Sequence, residues 1–447
     1  MSPDTAVNTG ADYPSPRRAW GVTFLLTVVF VFSFVDRQIL NLLVGPIQQD
    51  LDLNDTQVSL LQGFGFVATY VLLSIPIGRL VDTRRRISII AFGVAFWSLA
   101  TAACGLARSF TGLFVARAGV GVGEATLTPA AWSLLADYFP PHRRSLPFSV
   151  FLMGPYLGVG IAMIAGGLVM EGLAGQGPLT VPGVGALAPW QATFFVVAAP
   201  GIVLTAMLLL IREPARKGLK TGTTPVAVGY GDIVAWVRAN HRVYVALLIG
   251  VPCIALVLYG LQAWIPTYLL RVHGMSLGEA GTQYGAIALI AGSLGVLSGP
   301  FVGRYLERRG HSDYQLRVCV MALALIGPGL AALAVAPSAG TALVCIAVVS
   351  YLVPLPLALV ATALQSATPN QMRGVLVGAY VVTNNVIGLA FGPSMVALAT
   401  DYLFRDPAAV GKSLALVGVI VSLVGIFLIG RALEPYRVLL EAHGVDH

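Results

Sequence analysis

Long runs of apolar residues alternate with short polar segments along the whole chain. A run of about 20 apolar residues lets one helix cross a hydrocarbon layer of roughly 30 Å. The pattern therefore predicts twelve membrane-spanning helices. Their approximate limits are 18–44, 57–80, 87–107, 110–137, 145–170, 190–211, 243–270, 279–303, 315–336, 340–365, 373–399 and 411–433.

Composition agrees with a membrane location for most of the chain. Hydrophobic residues make up 57% of the sequence and charged residues 11%, and the mean hydropathy is +0.82. Soluble domains do not reach these values. Residues 1–16 are polar and the first apolar run is too long for a cleaved signal peptide, so we expect the first span to direct its own insertion.

The basic residues predict the orientation of the spans. With both termini on one side, most of the 27 Lys and Arg residues fall in the loops of that same side. Such loops are cytoplasmic in most membrane proteins, so we expect both termini in the cytoplasm. The formal charge of +7 reflects this asymmetry, and it gives no reason to expect binding to nucleic acid.

The chain divides into two similar halves. GRLVDTRRR (78–86) recurs as GRYLERRG (303–310), and PPHRRSL (140–146) recurs as PNQMRGV (369–375) at nearly the same spacing. Parallel repeats of six spans are typical of one large transporter fold. We therefore predict a tail over 1–17, a six-helix bundle over 18–211, a linker over 212–242, a second six-helix bundle over 243–433 and a tail over 434–447. DIVAWVRA in the linker fits either an amphipathic surface helix or a solvated loop.

Several of these segments resemble known signatures. GRLVDTRRR resembles the loop signature after span two of the major facilitator superfamily: Gly78, Leu80 and Asp82 match, Arg86 fits the ninth place, and Thr83 and Arg85 depart from it. RAGVGVGEA (117–125) resembles the family's fourth-span signature. With FVDRQILN and REPAR, these segments resemble the Spinster branch, whose characterised members move lysolipids and sphingosine phosphate. The sequence is thus similar to a bacterial homologue of that branch.

The resemblance implies a gate at the cytoplasmic ends of the helices. Gly78 and Asp82 would belong to this gate, and Asp82 would face the start of span eleven near Asn370, where a helix N-terminus favours negative charge. Arg86 would pair with Asp137 at the end of span four. The alternative is that these charges serve only as a topology signal.

Four charged residues lie deep inside predicted spans, away from the span ends, where charge is costly. With a helical rise of about 1.5 Å for each residue, Asp36 of span one and Arg117 of span four fall at similar depths in the outer half of the membrane, and Glu124 lies nearer the middle. Arg117 and Glu124 are two turns apart and share a helix face. Arg37 points about 100° away from Asp36. We expect Asp36 to meet Arg117 across the interface of these two spans.

Two interpretations of these charges remain open. In the first, Asp36 and Glu124 take up and release protons, while Arg37 and Arg117 exchange partners between the carboxylates and an anionic substrate head. In the second, the four groups form a static ion-pair network that fastens spans one and four.

The second half has no matching acids or bases away from the ends of its predicted spans. Its span interiors instead carry neutral polar and aromatic side chains, some of which we expect to bind substrate. They are Tyr259, Gln262, Trp264, Tyr351, Gln365, Thr383, Asn384 and Asn385. A cavity charged on one wall and mostly apolar on the other suits an amphipathic ligand. Ordinary hydrogen bonding between helices is the alternative for each single residue.

These features predict an all-α membrane protein that works as a secondary transporter by alternating access and exports an amphipathic, lipid-like substrate in exchange for protons. The sequence contains no catalytic triad, phosphate-binding loop or metal-ligand spacing, so we expect neither an enzyme nor a cofactor nor a bound metal. The alternatives are a proton-coupled drug or small-metabolite carrier and a receptor or scaffold. We expect a monomer surrounded by membrane lipids in a bacterial inner membrane.

Overall fold

The computed structural model describes residues 13–140, 143–173, 179–181, 185–216, 229–369 and 371–442. Nearly all of this is helical. The helices are Pro16–Leu42, Val44–Leu51, Asp55–Gln62, Phe64–Thr83, Arg86–Cys104, Phe110–Glu124, Leu127–Tyr138, Ser145–Leu152, Gly154–Leu173, Pro189–Ala198, Pro200–Leu209, Tyr230–Ala239, His241–Val245, Ala246–Gly250, Pro252–His273, Leu277–Arg308, Tyr314–Ala334, Ala339–Leu352, Leu357–Ser366, Arg373–Asn384, Asn385–Ala390, Phe391–Leu398, Ala399–Phe404, Pro407–Ala409, Val410–Gly430 and Leu433–Ala442.

Eleven helical segments in the described part of the chain are long and apolar enough to cross a membrane. They correspond to the predicted spans one to three and five to twelve. The fourth predicted span, 110–137, is covered by two consecutive helices, Phe110–Glu124 and Leu127–Tyr138, neither of which is long enough alone. We number the spans one to twelve on this basis.

The interruption of span four follows directly after Glu124. Pro129 has no N–H group to donate to the carbonyl of Ala125, so the regular helix ladder cannot continue across this turn. The Thr126 hydroxyl instead donates to the Gly123 carbonyl at 2.8 Å. The hydropathy pattern alone did not predict this break.

Two further segments refine the sequence predictions. The expected all-α fold contains one short antiparallel hairpin between spans five and six, formed by strands Leu179–Val181 and Gly185–Leu187. In the linker, Tyr230–Ala239 is a helix whose Ile233 is buried. Trp236 donates from Nε1 to the hydroxyl of Tyr244 at 2.8 Å, so this helix packs against the start of span seven.

The two halves of the chain contact each other through glycines on spans five and eight. A Cβ atom added at Gly281 would lie 2.5 Å from the Met163 carbonyl oxygen, and one added at Gly285 would lie 2.9 Å from that of Gly160. Both distances are shorter than real Cβ contacts, so only glycine allows the two helix backbones to approach this closely.

Spans two and eleven pack along only part of their length. In span eleven, Leu376 is the one buried residue assigned to helix Arg373–Asn384, whereas five of the eight residues of Phe391–Leu398 are buried. In span two, burial is dense up to Val67, and Leu72 and Leu80 further along are exposed. We call the side where span one begins and span twelve ends the terminal side. The two spans separate toward that side, so the space between the halves opens there.

Candidate substrate and proton site

Arg37 and Glu124 form an ion pair in the interior of the first half. Arg37 Nη2 lies 2.5 Å from Glu124 Oε2, and their side chains are 9% and 1% exposed. The guanidinium also lies over the rings of Phe34 and Phe66, at 4.5 and 4.2 Å from the ring centres, where the ring faces attract a cation. Glu124 Oε1 and Arg37 Nε have no hydrogen-bond partner within the described part of the chain, so the pair satisfies only part of the hydrogen-bonding capacity of each group.

Asp36 lies on a different face of span one. Its side chain is directed toward Trp97 and Thr101 of span three, the residue is 2% exposed, and its Oδ1 atom has no hydrogen-bond partner among the described residues. Residue counting separates Asp36 and Arg37 by about 100° around the helix, and the two side chains do have different surroundings. A buried carboxylate oxygen without a donor is costly when charged.

Arg117 is fully buried and donates to main-chain oxygens. Its guanidinium reaches the carbonyls of Asp36 at 3.1 Å, Arg37 at 3.3 Å and Leu61 at 3.5 Å. We expected it to meet the Asp36 carboxylate, but its hydrogen bonds go to the backbones of span one and the helix Asp55–Gln62. Its role in binding substrate stays a prediction. In this conformation it holds these two segments against span four.

The second half faces Arg37 with neutral groups. Gln38 donates from Nε2 to Gln262 Oε1 at 2.9 Å, and this contact joins span one to span seven. Arg37, Gln38, Tyr259 and Gln262 line one small chamber between the halves, together with Gln62, whose Oε1 atom is buried without a partner in the region that the structure describes. Tyr259 and Gln262 are therefore positioned beside Arg37, as a substrate-binding role requires.

The other predicted substrate residues lie in different settings. Trp264 is fully buried and donates from Nε1 to the Pro393 carbonyl at 2.9 Å, which fastens span seven to span eleven. The Tyr351 hydroxyl accepts from Ser298 at 2.9 Å. Asn384 accepts from the Tyr380 hydroxyl at 3.4 Å on the open part of span eleven. The structure does not bring these three residues to Arg37, and their substrate roles stay predictions.

The side opposite the termini is held together by charged contacts that our sequence reasoning missed. Arg271 of span seven donates to both carboxylate oxygens of Asp55 at 2.7 Å and to Gln48 at 2.7 Å. Asp401 of span eleven accepts from the main-chain N–H of Thr56 at 2.7 Å and from its hydroxyl at 2.6 Å. We call these five residues the outer latch, because they join the two halves at the first turn of helix Asp55–Gln62. Asn54 caps the helix that begins at Asp55, and such a cap is a local sequence signal of a helix start. No local signal indicates the partner of Asp55, because Arg271 belongs to the other half of the chain.

Two of the predicted gate residues, Arg86 and Asp137, lie at the terminal ends of spans three and four. Arg86 forms an ion pair with Asp137, the contact that the resemblance implies, and its Nε atom donates to Glu213 at 2.8 Å. Glu213 also accepts from the main-chain N–H of Arg86 at 3.2 Å, so it caps the start of span three. It was not among the predicted residues, although it belongs to the REPAR segment. The gate function itself stays a prediction.

Gly78 lies on the open part of span two. A Cβ atom added there would meet no atom within 4 Å. The predicted contact between span two and the start of span eleven falls outside the described part of the chain, because this part does not include the side chain of Asp82 or any of Asn370.

Twelve apolar spans, a space between two halves that opens to one side, and a charged site buried at its inner end define a membrane transporter. Comparison with known proteins gives the family. Residues 26–393 match the model of the Major Facilitator Superfamily, so the chain belongs to that superfamily. It is a Spinster-like, multi-pass membrane transporter of small molecules and not an enzyme.

Individual relatives cover nearly the whole chain. An MFS-type efflux pump of Mycolicibacterium smegmatis (strain ATCC 700084 / mc(2)155) is 30% identical over 444 residues, which is 98% of each chain. Protein spinster homolog 1 of Homo sapiens is 26% identical over 97% of this chain and 85% of its own. A crystal structure of a bacterial homologue of the human lysosomal transporter Spinster, inward-facing and unoccupied, is 25% identical with a TM-score of 0.78, over 96% of this chain and 99% of that one.

Proposed function

We propose that the protein is a proton-coupled exporter of a single-chain amphipathic, lipid-like substrate. In this proposal Asp36 and Glu124 carry protons and Arg37 binds an anionic part of the substrate head. Tyr259 and Gln262 contact the head from the second half. The resemblance of FVDRQILN, RAGVGVGEA and REPAR to the Spinster branch supports the substrate class, because characterised members of that branch move lysolipids. The match to protein spinster homolog 1 agrees with this resemblance.

One observation carries the proposal. Arg37 has an ion-pair partner in Glu124, and yet both Glu124 and the nearby Asp36 keep a buried oxygen without a hydrogen-bond donor among the described residues. An ion pair that served only as a fastener would be expected to satisfy these atoms. A proton bound at either carboxylate removes its negative charge and so lowers the cost of burying an oxygen without a donor. At Glu124 it also weakens the attraction that holds Arg37. Arg37 then becomes available to an anionic head.

The same proposal assigns a direction to the conformational cycle. The terminal side is the cytoplasmic side of a bacterial inner membrane, so the described conformation is open to the cytoplasm. Export requires that the outer latch opens while spans two and eleven approach each other at Gly78. The two predicted six-helix bundles, 18–211 and 243–433, move against each other within a monomer.

A second candidate is export of amphipathic compounds that are not lipids. The efflux pump of Mycolicibacterium smegmatis favours it, because that relative shares more identity with the chain than protein spinster homolog 1 does and matches nearly its whole length. Such compounds would use the same site, since a charged wall facing a neutral one suits amphiphiles of either kind.

The test is transport by the purified protein in liposomes. Fluorescent lysophosphatidylcholine, fluorescent lysophosphatidate and a cationic amphipathic dye are offered separately, with and without an imposed pH gradient. We expect the lysolipids to move faster with the gradient than without it. Movement of the dye alone would favour the second candidate, and lysolipid movement that is the same at every gradient would contradict proton coupling.

A further inference from the structure

One face of span eight carries exposed apolar side chains along its terminal half. They are Ile290, Leu294, Leu297 and Phe301, with exposed fractions between 54% and 66%. Steps of three and four residues place them on one side of the helix. The opposite side packs closely on span ten, because a Cβ atom added at Gly295 would lie 2.2 Å from the Tyr351 carbonyl oxygen and one added at Gly299 would lie 2.0 Å from that of Leu355. The exposed side therefore faces away from the protein interior, toward lipid.

Three arginines follow this apolar face at the terminal end of the same helix. Arg304, Arg308 and Arg309 are exposed, and none of them forms an ion pair within the part of the chain that the structure describes. Glu307 is the only acid in the stretch 301–309, so this stretch has a formal charge of +2. The positive charge thus lies at the end of the predicted span, where the hydrocarbon layer ends.

Two of these arginines are stacked on exposed aromatic rings of the preceding turn. The guanidinium carbon of Arg304 lies 4.7 Å from the centre of the Phe301 ring, and that of Arg309 lies 4.5 Å from the centre of the Tyr305 ring. Stacking orients the plane of a guanidinium and leaves its N–H edge available. That edge forms paired hydrogen bonds with phosphate oxygens. The arrangement therefore suits a phosphate group at the level of the lipid headgroups.

We propose that this end of span eight binds an anionic phospholipid of the surrounding membrane. The phosphate lies at Arg304, Arg308 and Arg309, and an acyl chain follows the apolar face from Phe301 toward Ile290. Charge complementarity selects anionic lipids, since basic side chains beside a membrane attract them. The site is separate from the interior ion pair, and it does not depend on which substrate is transported.

An orientation signal is the simpler explanation for basic residues at this place. The repeat in the first half separates the two explanations. Where GRYLERRG has Tyr305 and Arg308, GRLVDTRRR of the first half has Leu80 and Thr83. An orientation signal needs positive charge alone, so it does not account for an exposed aromatic ring that carries a stacked arginine. A binding site for a phosphate beside an acyl chain accounts for both.

Native mass spectrometry of the purified protein counts the lipids that stay bound. Phosphatidylglycerol is titrated onto the wild type and onto Arg304→Gln/Arg308→Gln/Arg309→Gln, and phosphatidylcholine is the neutral comparison. The wild type should prefer phosphatidylglycerol, and each arginine removed should lower its affinity about fivefold. Arg431→Gln is the matched control, because this arginine also stacks on an exposed ring, 5.2 Å from the centre of Phe427, but has no other arginine within five residues. Its affinity should equal that of the wild type.

The place of the lipid is tested with phosphatidylglycerol that carries a photoreactive group in its acyl chain. It should label the peptide that contains Leu294 and Leu297 in the wild type. It should label the same peptide in Arg37→Gln/Glu124→Val, which removes the interior ion pair.

Three results would overturn the site. They are equal affinity of the triple variant and the wild type, no preference of the wild type for phosphatidylglycerol, and labelling that is lost in Arg37→Gln/Glu124→Val, which would place the lipid at the substrate site instead. If the triple variant does not fold, Arg308→Thr, which copies the first half, tests the same loss with a single step of about fivefold.

Discussion

Span one and span seven occupy corresponding places in the two halves, and their side chains differ in kind. When the repeated loops are aligned with Gly78 on Gly303, Arg37 corresponds to Gln262 and Asp36 to Leu261. When Pro140 is aligned with Pro369, Glu124 corresponds to Val353. The ion pair of the first half is thus matched in the second half by an amide and a valine, both of which line a small cavity between spans five, seven, eight and ten.

The terminal ends of the halves are more alike. Glu213-Pro-Ala-Arg216 follows span six, and Glu434-Pro-Tyr-Arg437 follows span twelve. In the first half, Glu213 binds Arg86 at the start of span three. In the second, Arg437 lies 3.6 Å from Asp313 at the start of span nine. Both segments place a charged residue at the start of the third span of their half, through the Glu in the first half and the Arg in the second. The repeat thus keeps an ion pair at this place, while the centre of each half has different chemistry.

This difference suggests a division of labour. The buried central ion pair belongs to the first half, so we expect titration there. The centre of the second half is neutral, so it can receive the apolar part of a substrate without burying further charge. We therefore expect that Arg37 and Glu124 can be replaced by their counterparts, Gln and Val, and that the protein still folds. We expect the same replacement to abolish transport.

The largest effect is expected from removing one member of the pair. Glu124→Val leaves Arg37 buried without a carboxylate, which typically costs about 3–5 kcal/mol. The double variant Arg37→Gln/Glu124→Val copies the second half and removes both charges, so its stability should return to within about 1 kcal/mol of the wild type. Neither variant should transport substrate. Unfolding in detergent and uptake into liposomes measure the two properties.

Two results would contradict this prediction. The double variant could be as unstable as the single one, in which case the charges are needed for packing. It could also transport substrate in response to a pH gradient, in which case the pair is not the coupling site.

A smaller effect is expected at the outer latch, where the halves meet. Arg271→Gln removes both charged hydrogen bonds to Asp55, so it should shift the equilibrium toward the conformation that is open on that side by about 1–2 kcal/mol. Distances between spin labels on the two halves report the populations. Arg317→Gln is the matched control, because its 2.5 Å pair with Asp313 lies within the second half. Equal distance distributions in the two variants would show that the latch does not hold the halves together.

The smallest effect is expected at Gly78. Because an added Cβ meets no atom in the open conformation, Gly78→Leu should change stability by less than about 1 kcal/mol. It should slow transport by roughly threefold to tenfold, since span eleven must approach this position for the terminal side to close. The rate is compared with that of Gly430→Leu, a variant at the end of span twelve where an added Cβ also meets no atom within 4 Å. Equal rates would mean that the closing helices do not meet at Gly78.

The sequence predicted the spans, since hydropathy depends only on local composition, and the charged residues, since charge is rare in apolar runs. It did not predict how those charges pair. Depth along a helix follows from residue counting, but the rotation of each helix depends on packing against its neighbours. Asp36 was therefore expected at the Arg117 side chain, whereas Arg117 bonds to main-chain oxygens and Glu124 pairs with Arg37.

The outer latch was missed for a related reason. Arg271 and Asp401 lie near the ends of spans, where charge is common and carries little information. Their partners, Asp55 and Thr56, belong to the other half of the chain. Only the approach of the two halves in one particular conformation brings these groups together, and no local pattern in the sequence describes that approach.

The most direct test of the proton-coupled charged site is the pH dependence of the distance between the halves in Asp36→Asn. The amide is neutral at every pH, and Arg117 keeps its bonds to main-chain oxygens, so the variant should be as stable as the wild type. We expect spin-label distances on the terminal side to change with pH in the wild type and in the control Asp50→Asn, but not in Asp36→Asn. A pH response that persists in Asp36→Asn, together with a large loss of stability, would show that Asp36 only fastens the helices, and it would contradict this account.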